Sequence, residues 1–289
     1  MTSSAHSLQM DFMRTATAPS PHERLKTRYG DNCAAAPFAW SDVIDHLLDH
    51  RSVRKYLPDP VTDAQLHAIL AAAQSAPSSS NLHAWSVVAV TDPDLRDRLS
   101  QLVGNQPQVS QAPMQLVWLA DLSMLHQASH EKEQAAQGLD YLEMFLLAAL
   151  DAALASQNAS IAAQSIGLAT VYIGGIRNQM DKVAQLLGLP ARVAPVFGMC
   201  LGTADPARPT AIKPRPPQSV VLHRNRYDSQ AVMPGLQHYD EVMQRFYKSQ
   251  SMEAESWILR SLNRVATPAS LTGRDRLREM LVQLGFPLK

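Results

Sequence analysis

The 289-residue sequence is poor in aromatic side chains, at 6%, and holds only two cysteines, Cys33 and Cys200. Few rings beside a hydrophobic share of 46% mean an interior built from Ala, Leu, Val, Ile and Met, a profile suited to many helices. Two cysteines this far apart make no CxxC, metal or disulfide-framework pattern, so a reducing, cytoplasmic setting is expected. An excess of one charge is missing as well. Lys and Arg number 26, as do Asp and Glu, which removes the global footprint of a nucleic-acid binder and makes any anion site local. The N-terminus has no compact apolar segment before a small-residue cleavage site, so no secretory signal is expected. The longest weakly charged stretch, residues 141–168, carries Glu143, Asp151, Gln157, Asn158 and Gln164. A bilayer core penalises such groups heavily, so no membrane association is expected. Hydrolytic and metal machinery are lacking too: there is no G-x-S-x-G elbow, the serines at 78–80 lack an activating architecture, and His126 and His130 have no third ligand nearby.

What is present is organised as a leader and a domain. Residues 1–40, rich in Ser, Ala, Thr and Pro, read as a leader that is partly disordered or draped over the surface. Residues 41–289 read as a single domain with a helical C-terminal tail. Ser41 caps a helix running through Asp49, and Thr62 with Gln65 fits a capping box opening the next one. Strands are expected at 85–90, 114–120, 169–173 and 193–201, and a long helix at 140–166 carries a face of small residues. Asn178 is placed to cap a helix reaching Leu187. Helical segments follow near 234–249, 253–264 and 271–284. Strands separated by helices and closed by a helical tail indicate an α+β or α/β layered domain.

Four segments carry polar chemistry. His50-Arg51-Ser52-Val53-Arg54 sets two guanidiniums, a hydroxyl and an imidazole at a helix-to-loop junction, a set suited to a phosphate. Ser78 to Asn81 offers uncharged donors fit for a polyol or a heterocycle edge. Tyr172-Ile173-Gly174-Gly175 is a strand end whose glycines let a flat ligand approach the backbone, without the spacing of a dinucleotide fingerprint. Lys213-Pro214-Arg215 holds two cations apart in a proline-stiffened loop, so little entropy is lost on gripping an anion. Taken singly, each also has a plain structural reading as a solvated face or a turn. Together they are donors without a nucleophile, the profile of an enzyme that borrows its chemistry from a cofactor.

In this order, with Gln106, Ala76-Pro77-Ser78-Ser79-Ser80-Asn81 and Phe197-Gly198-Met199-Cys200-Leu201-Gly202, the segments resemble the nitroreductase family, in its branch of flavin reductases and major oxygen-insensitive NADPH nitroreductases. The resemblance runs from about residue 41 to the end. It implies an α+β sandwich, a central mainly antiparallel sheet flanked by helices, in an intertwined homodimer whose interface takes the helix at 140–166 and holds the active sites. It implies FMN as cofactor and NADPH, or NADH, as electron donor. His50, Arg51, Ser52, Lys213 and Arg215 would hold the FMN phosphate and ribityl chain. Ser78, Ser79, Asn81 and Gln106 would bond ring or ribityl atoms, and Tyr172, Ile173, Gly174 and Gly175 would line the isoalloxazine. No side chain would be a proton-transfer catalyst: hydride would reach flavin N5, and Arg54 would stabilise the reduced flavin. Arg274 would face NAD(P)H or the substrate. Ping-pong reduction of nitroaromatics or quinones is the activity implied. Alternatives are a flavin reductase supplying free reduced FMN and a non-catalytic flavin-binding regulatory protein. Two departures stand out. His83 occupies a position where the family has Gln, and the segment Lys248 to Glu255 is acidic where NADPH-specific relatives carry arginines.

Overall fold

A computed structural model describes residues 19–30 and 39–289. In chain order the elements are α1 (Pro21–Tyr29), α2 (Asp42–Leu48), α3 (Asp63–Gln74), β1 (Trp85–Val90), α4 (Pro93–Leu102), α5 (Pro107–Gln111), β2 (Met114–Asp121) and α6 (Ser123–Glu131). They continue as α7 (Leu142–Ser165), β3 (Ala169–Ile173), α8 (Met180–Leu186), β4 (Val193–Gly202), α9 (Val232–Ser249), α10 (Trp257–Arg264) and α11 (Leu277–Gln283). The chain divides into two compact units. One is formed by the residues up to Asp49 with Ile212–Ser256, the other by His50–Ala211 with Trp257–Lys289.

The larger unit is built on a four-stranded sheet of order β1-β2-β4-β3, antiparallel at every pairing. The α+β architecture with an antiparallel sheet is therefore as expected, and strand direction is something the apolar pattern alone could not show. Every residue of β2 is buried, so the sheet is covered on both faces. Met114, Leu116, Trp118 and Ala120 join the cluster containing Ile69 and Ala73 of α3 and Ala148, Ala152, Ala155, Ala159 and Ala163 of α7. Their alternates Val117 and Leu119 join Leu99 of α4, Val109 of α5 and Val183 of α8. This is the period-two rule of a strand applied to two cores. The alanine row lets α7 lie close under the sheet and leaves room for Trp118, whose ring sits 5.5 Å from that of Trp85. By length and composition α7 could cross a bilayer, yet its alanine side is spent on this core.

In the smaller unit α1 and α2 pack together, and α9 buries Tyr239, Val242, Met243 and Tyr247. Part of the leader is thus helical: Ser20 accepts from the Glu23 amide and the Glu23 carboxylate accepts from the Ser20 amide, with Pro21 in the first turn. The rest of the leader, residues 1–18 and 31–38, lies outside the described residues, as does Cys33. One local expectation is corrected. Asn178 does not cap α8; residues Gly174–Gln179 form a 3-10 turn, Gln179 precedes α8 without a side-chain cap, and Asn178 Oδ1 accepts from Arg274 Nε. The segments α5 and α6 are helices that the apolar spacing did not announce.

Candidate functional site

In the larger unit the polar segments are tied to one element, α7, by four of its polar side chains. Asp151 is buried, and its carboxylate accepts from Ser78 Oγ at 2.7 Å, the Ser79 amide at 3.2 Å and the Ala84 amide at 3.4 Å. Ser78 Oγ in turn accepts from the His83 amide at 2.8 Å. Ser80, Asn81 and His83 all have left-handed backbones, at φ 49°, 57° and 48°. For residues with a Cβ such a conformation costs about 1–3 kcal/mol each and persists only where the surroundings over-determine it. Asp151 supplies that determination. Asn81 Oδ1 lies 2.9 Å from His83 Nε2, so His83 braces the turn from within.

One turn further, Ser156 accepts from the Tyr172 hydroxyl at 3.1 Å, and the Tyr172 ring meets Phe197 edge-on. Ser160 pairs with Thr170 at 2.8 Å, and Gln164 Nε2 donates to Ser160 Oγ at 2.9 Å. Gln164 Nε2 also reaches Thr170 Oγ1 at 3.3 Å, and the side-chain amide of Gln164 faces His50 Nδ1, with Nε2 at 3.1 Å and Oε1 at 3.2 Å. This contact ties His50 to α7. Two residues beyond His50 comes Ser52, whose carbonyl lies 3.4 Å from an Arg54 guanidinium nitrogen, and the Val53 amide donates to the Thr170 carbonyl at 3.1 Å. The guanidinium-bearing segment is thereby held alongside β3. Arg51 and Arg54 are exposed.

At the other end of β3, Gly175 is enclosed: a Cβ there would stand 2.6 Å from the Val103 carbonyl and 2.7 Å from Gln106 Nε2. Gln106 is fixed by donation to that same carbonyl at 2.9 Å and by accepting from Gln108 at 2.9 Å. Gly174 differs. A Cβ on it would meet only the tips of Arg177 and Arg274, at 3.6 and 3.8 Å. Burial first, then the neighbouring Arg177 and Arg264 guanidiniums, holds the Arg274 guanidinium below its ordinary value, an electrostatic setting that an anion relieves. Cys200 on β4 is buried, which pushes its thiol up to about 12 and keeps it un-ionised.

The larger unit thus ties Ser78 and Ser79, Tyr172 and His50 to successive positions along α7, at Asp151, Ser156 and Gln164, and separately sets Gln106 against Gly175 and Arg274 near Gly174. Lys213 and Arg215 belong to the smaller unit, both exposed on either side of a buried Pro214. Sequence reading missed Asp151, Ser156, Ser160 and Gln164 as organisers. Part of their signal was present: Ser156, Ser160 and Gln164 recur every four residues and so share one face of the helix, while Asp151, five residues before Ser156, stands on another.

A set of anion and polar donors on a layered α+β scaffold, with no activated nucleophile among the described residues, suits chemistry supplied by a bound cofactor. Residues 47–203 match the Nitroreductase family model and residues 213–289 the Nitroreductase family, C-terminal domain model. The chain is 41% identical over 222 residues, 75% of its length, to the oxygen-insensitive NADPH nitroreductase of Salmonella typhimurium, covering 88% of it. It is 37% identical over 228 residues, 77% of its length, to an FMN reductase (NADPH) of Bacillus subtilis, covering 91% of it. Among solved structures, the NADPH:FMN oxidoreductase of Vibrio harveyi complexed with NAD+ superposes with a TM-score of 0.76 at 35% identity, 86% of this chain covering 100% of that one. The chain belongs to the nitroreductase family.

Proposed function

We propose that this protein is a cytoplasmic, FMN-dependent oxidoreductase that carries two electrons from NAD(P)H to small acceptors such as nitroaromatics and quinones, acting as a homodimer with its active sites at the interface. One observation supports the reading above the others: α7 fixes the Ser78 turn, Tyr172 and His50, three separately encoded donor segments, through Asp151, Ser156 and Gln164. The donor set fits FMN. It offers cations for a phosphate and neutral donors for a polyol, and at Gly174 the missing side chain leaves the backbone open to a flat ring.

When bound, FMN supplies hydride exchange between the nicotinamide cofactor and the acceptor. The chain's own residues bind and orient. We assign His50, Arg51 and Ser52 to the phosphate and ribityl chain, and Lys213 and Arg215, as exposed cations, to an FMN phosphate. Ser79, Asn81 and Gln106 are assigned to polar ring or ribityl atoms, with Tyr172, Ile173, Gly174 and Gly175 against the ring. Ser78, whose hydroxyl is engaged twice, orients the turn. Arg54 favours negative charge on the reduced ring by electrostatics alone. Arg274, crowded by Arg177 and Arg264, is assigned to a charged or strongly polar part of NAD(P)H or the acceptor.

The dimer reading has support on α7. Leu142, Leu146, Leu150 and Leu154 are 53%, 51%, 55% and 46% exposed and recur every four residues, a ridge of the kind that packs into a second helix. Leu146, Leu150 and Leu154 also line, with Ser78, Ser79 and Asp151, a cleft of 360 Å³. The apolar ridge therefore borders the turn assigned to the flavin. The test is direct: the purified protein should carry or take up FMN, and anaerobic NADPH or NADH should bleach its flavin absorbance. Bleaching by neither, or failure to bind FMN, overturns the reading.

A further inference from the structure

The N-terminal helix α1 lies ahead of the segment matched by the family, which begins at residue 47, and its contacts converge on one loop. We infer that α1 is a clasp that sets the Lys213-Pro214-Arg215 loop for its anion, with Arg28 as the positioning residue. The inference rests on the assignment of Lys213 and Arg215 to the FMN phosphate.

The helix is locally well specified. Ser20 and Glu23 form a reciprocal capping box, with Glu23 Oε2 accepting from the Ser20 amide at 2.6 Å and its hydroxyl at 2.8 Å. Gly30 ends the helix at φ +73° while its amide donates to the Lys26 carbonyl. Arg24 then fastens α1 to α2. Its guanidinium donates to both oxygens of Asp45, at 3.0 and 2.9 Å, and to Asp49 at 2.9 Å. Paired, charge-assisted bonds of this geometry fix orientation as well as distance.

With α1 held, Arg28 reaches the loop. Only 5% exposed, it donates through Nη1 to the Lys213 carbonyl at 2.9 Å and through Nη2 to the Leu48 carbonyl at 2.5 Å. Its own carbonyl accepts from the Arg215 amide at 2.8 Å. The Pro214 carbonyl between them accepts from the Tyr239 hydroxyl of α9 at 3.1 Å. Three successive loop residues are thus pinned by α1 and α9, while the side chains of Lys213 and Arg215 stay exposed. A loop ordered in advance loses less entropy when it closes on a ligand. Arg28 suits the task because a guanidinium forks to two carbonyls, which an ammonium on a single stem does not. Leu48 is the last residue of α2, so the same fork ties the loop to the helix end that leads into His50.

Charge adds to geometry. Burial lowers the Arg28 guanidinium below its ordinary value, and the Arg215 charge lowers it further. These two neighbouring cations repel, and an anion beside them offsets that repulsion.

Riboflavin, which is FMN without the phosphate, gives the discriminating measurement. Dissociation constants for FMN and riboflavin are measured by flavin fluorescence in the 289-residue protein and in Arg28→Gln, Arg24→Gln and Arg215→Ala. The clasp predicts that Arg28→Gln weakens FMN roughly tenfold and leaves riboflavin unchanged, with Arg24→Gln acting in the same direction to a smaller degree. A general folding defect weakens both ligands together. Should Arg28→Gln not fold, Arg24→Gln, which loosens α1 without touching the loop, carries the same comparison. If Arg215→Ala spares FMN, the phosphate assignment itself fails. If Arg215→Ala weakens FMN and neither α1 variant changes the ratio of the two constants, the loop binds phosphate without the clasp and the inference is overturned.

Discussion

Asp151 sits inside an apolar helix, and three donors depend on it: Ser78 Oγ and the amides of Ser79 and Ala84. Of these the Ala84 amide is buried, and leaving it without a partner costs about 1–3 kcal/mol, whereas the half-buried Ser78 and exposed Ser79 can turn to water. Asp151→Ala is therefore expected to lower stability by about 1–3 kcal/mol, measured as a shift of the urea midpoint. FMN retention should fall with it, because the left-handed run at Ser80, Asn81 and His83 loses its anchor. Asp151→Asn keeps one carbonyl acceptor and should be milder; equal damage from both would deny the carboxylate this role. Asp140 makes a different kind of prediction. Its bonds to Lys289 and Arg192 hold its carboxyl down at about 2, below the ordinary 3.8. A depressed carboxylate stabilises the fold above its unfolded value, and that contribution disappears as pH falls from about 4 through about 2. The thermal midpoint of Asp140→Asn should lie below that of the parent protein at pH 7, and the two should converge near pH 2. A gap that persists there would assign the difference to something other than titration of this carboxyl.

At the scale of elements, the end of β3 separates packing from ligand approach. Gly175→Ala would drive a Cβ against the Val103 carbonyl and Gln106, so a loss of about 1–3 kcal/mol in stability is expected, with weakened FMN binding as Gln106 shifts. Gly174→Ala meets only ordinary contacts from Arg177 and Arg274. It should keep the thermal midpoint and still weaken FMN, and unchanged FMN affinity would remove Gly174 from the ring site. The same elements show what the sequence made legible. β1 and β3 fall where β-branched runs end at turn residues, Trp85–Val90 and Ala169–Ile173, and the Thr62 capping box opens α3. Each of these signals is local. Asn178 was misread because a cap is judged from chain neighbours, while its partner Arg274 is 96 residues away. The helix α1 had its own local signature in Ser20, Pro21 and Glu23, outweighed by the composition of the leader around it. The role of Asp151 was hidden for a further reason: its partners lie 67 to 73 residues earlier, and only the fold brings them to α7.

At the scale of the whole molecule, the leucine ridge of α7 bears on how many chains make a working enzyme. Four half-exposed leucines per chain, doubled across a two-fold interface, would gain about 1 kcal/mol each on burial. Their sum is comparable to the roughly 4–15 kcal/mol of freedom lost on association, so the ridge makes a large contribution without sufficing alone. A charge placed in its middle should be decisive, since an unpaired carboxylate in an apolar interface keeps its water only if the interface opens. Leu150→Glu, at a residue 55% exposed in the single chain, should leave the fold and its circular dichroism intact while shifting sedimentation from dimer to monomer. Because Leu150 lines the same cleft as Ser78, Ser79 and Asp151, the monomer should also lose flavin, and added FMN should restore less activity at low protein concentration than at high. A Leu150→Glu protein that stays dimeric would remove the ridge from the interface. One that becomes monomeric yet retains FMN and full turnover would show a site complete within a single chain, and the obligate dimer would have to be abandoned.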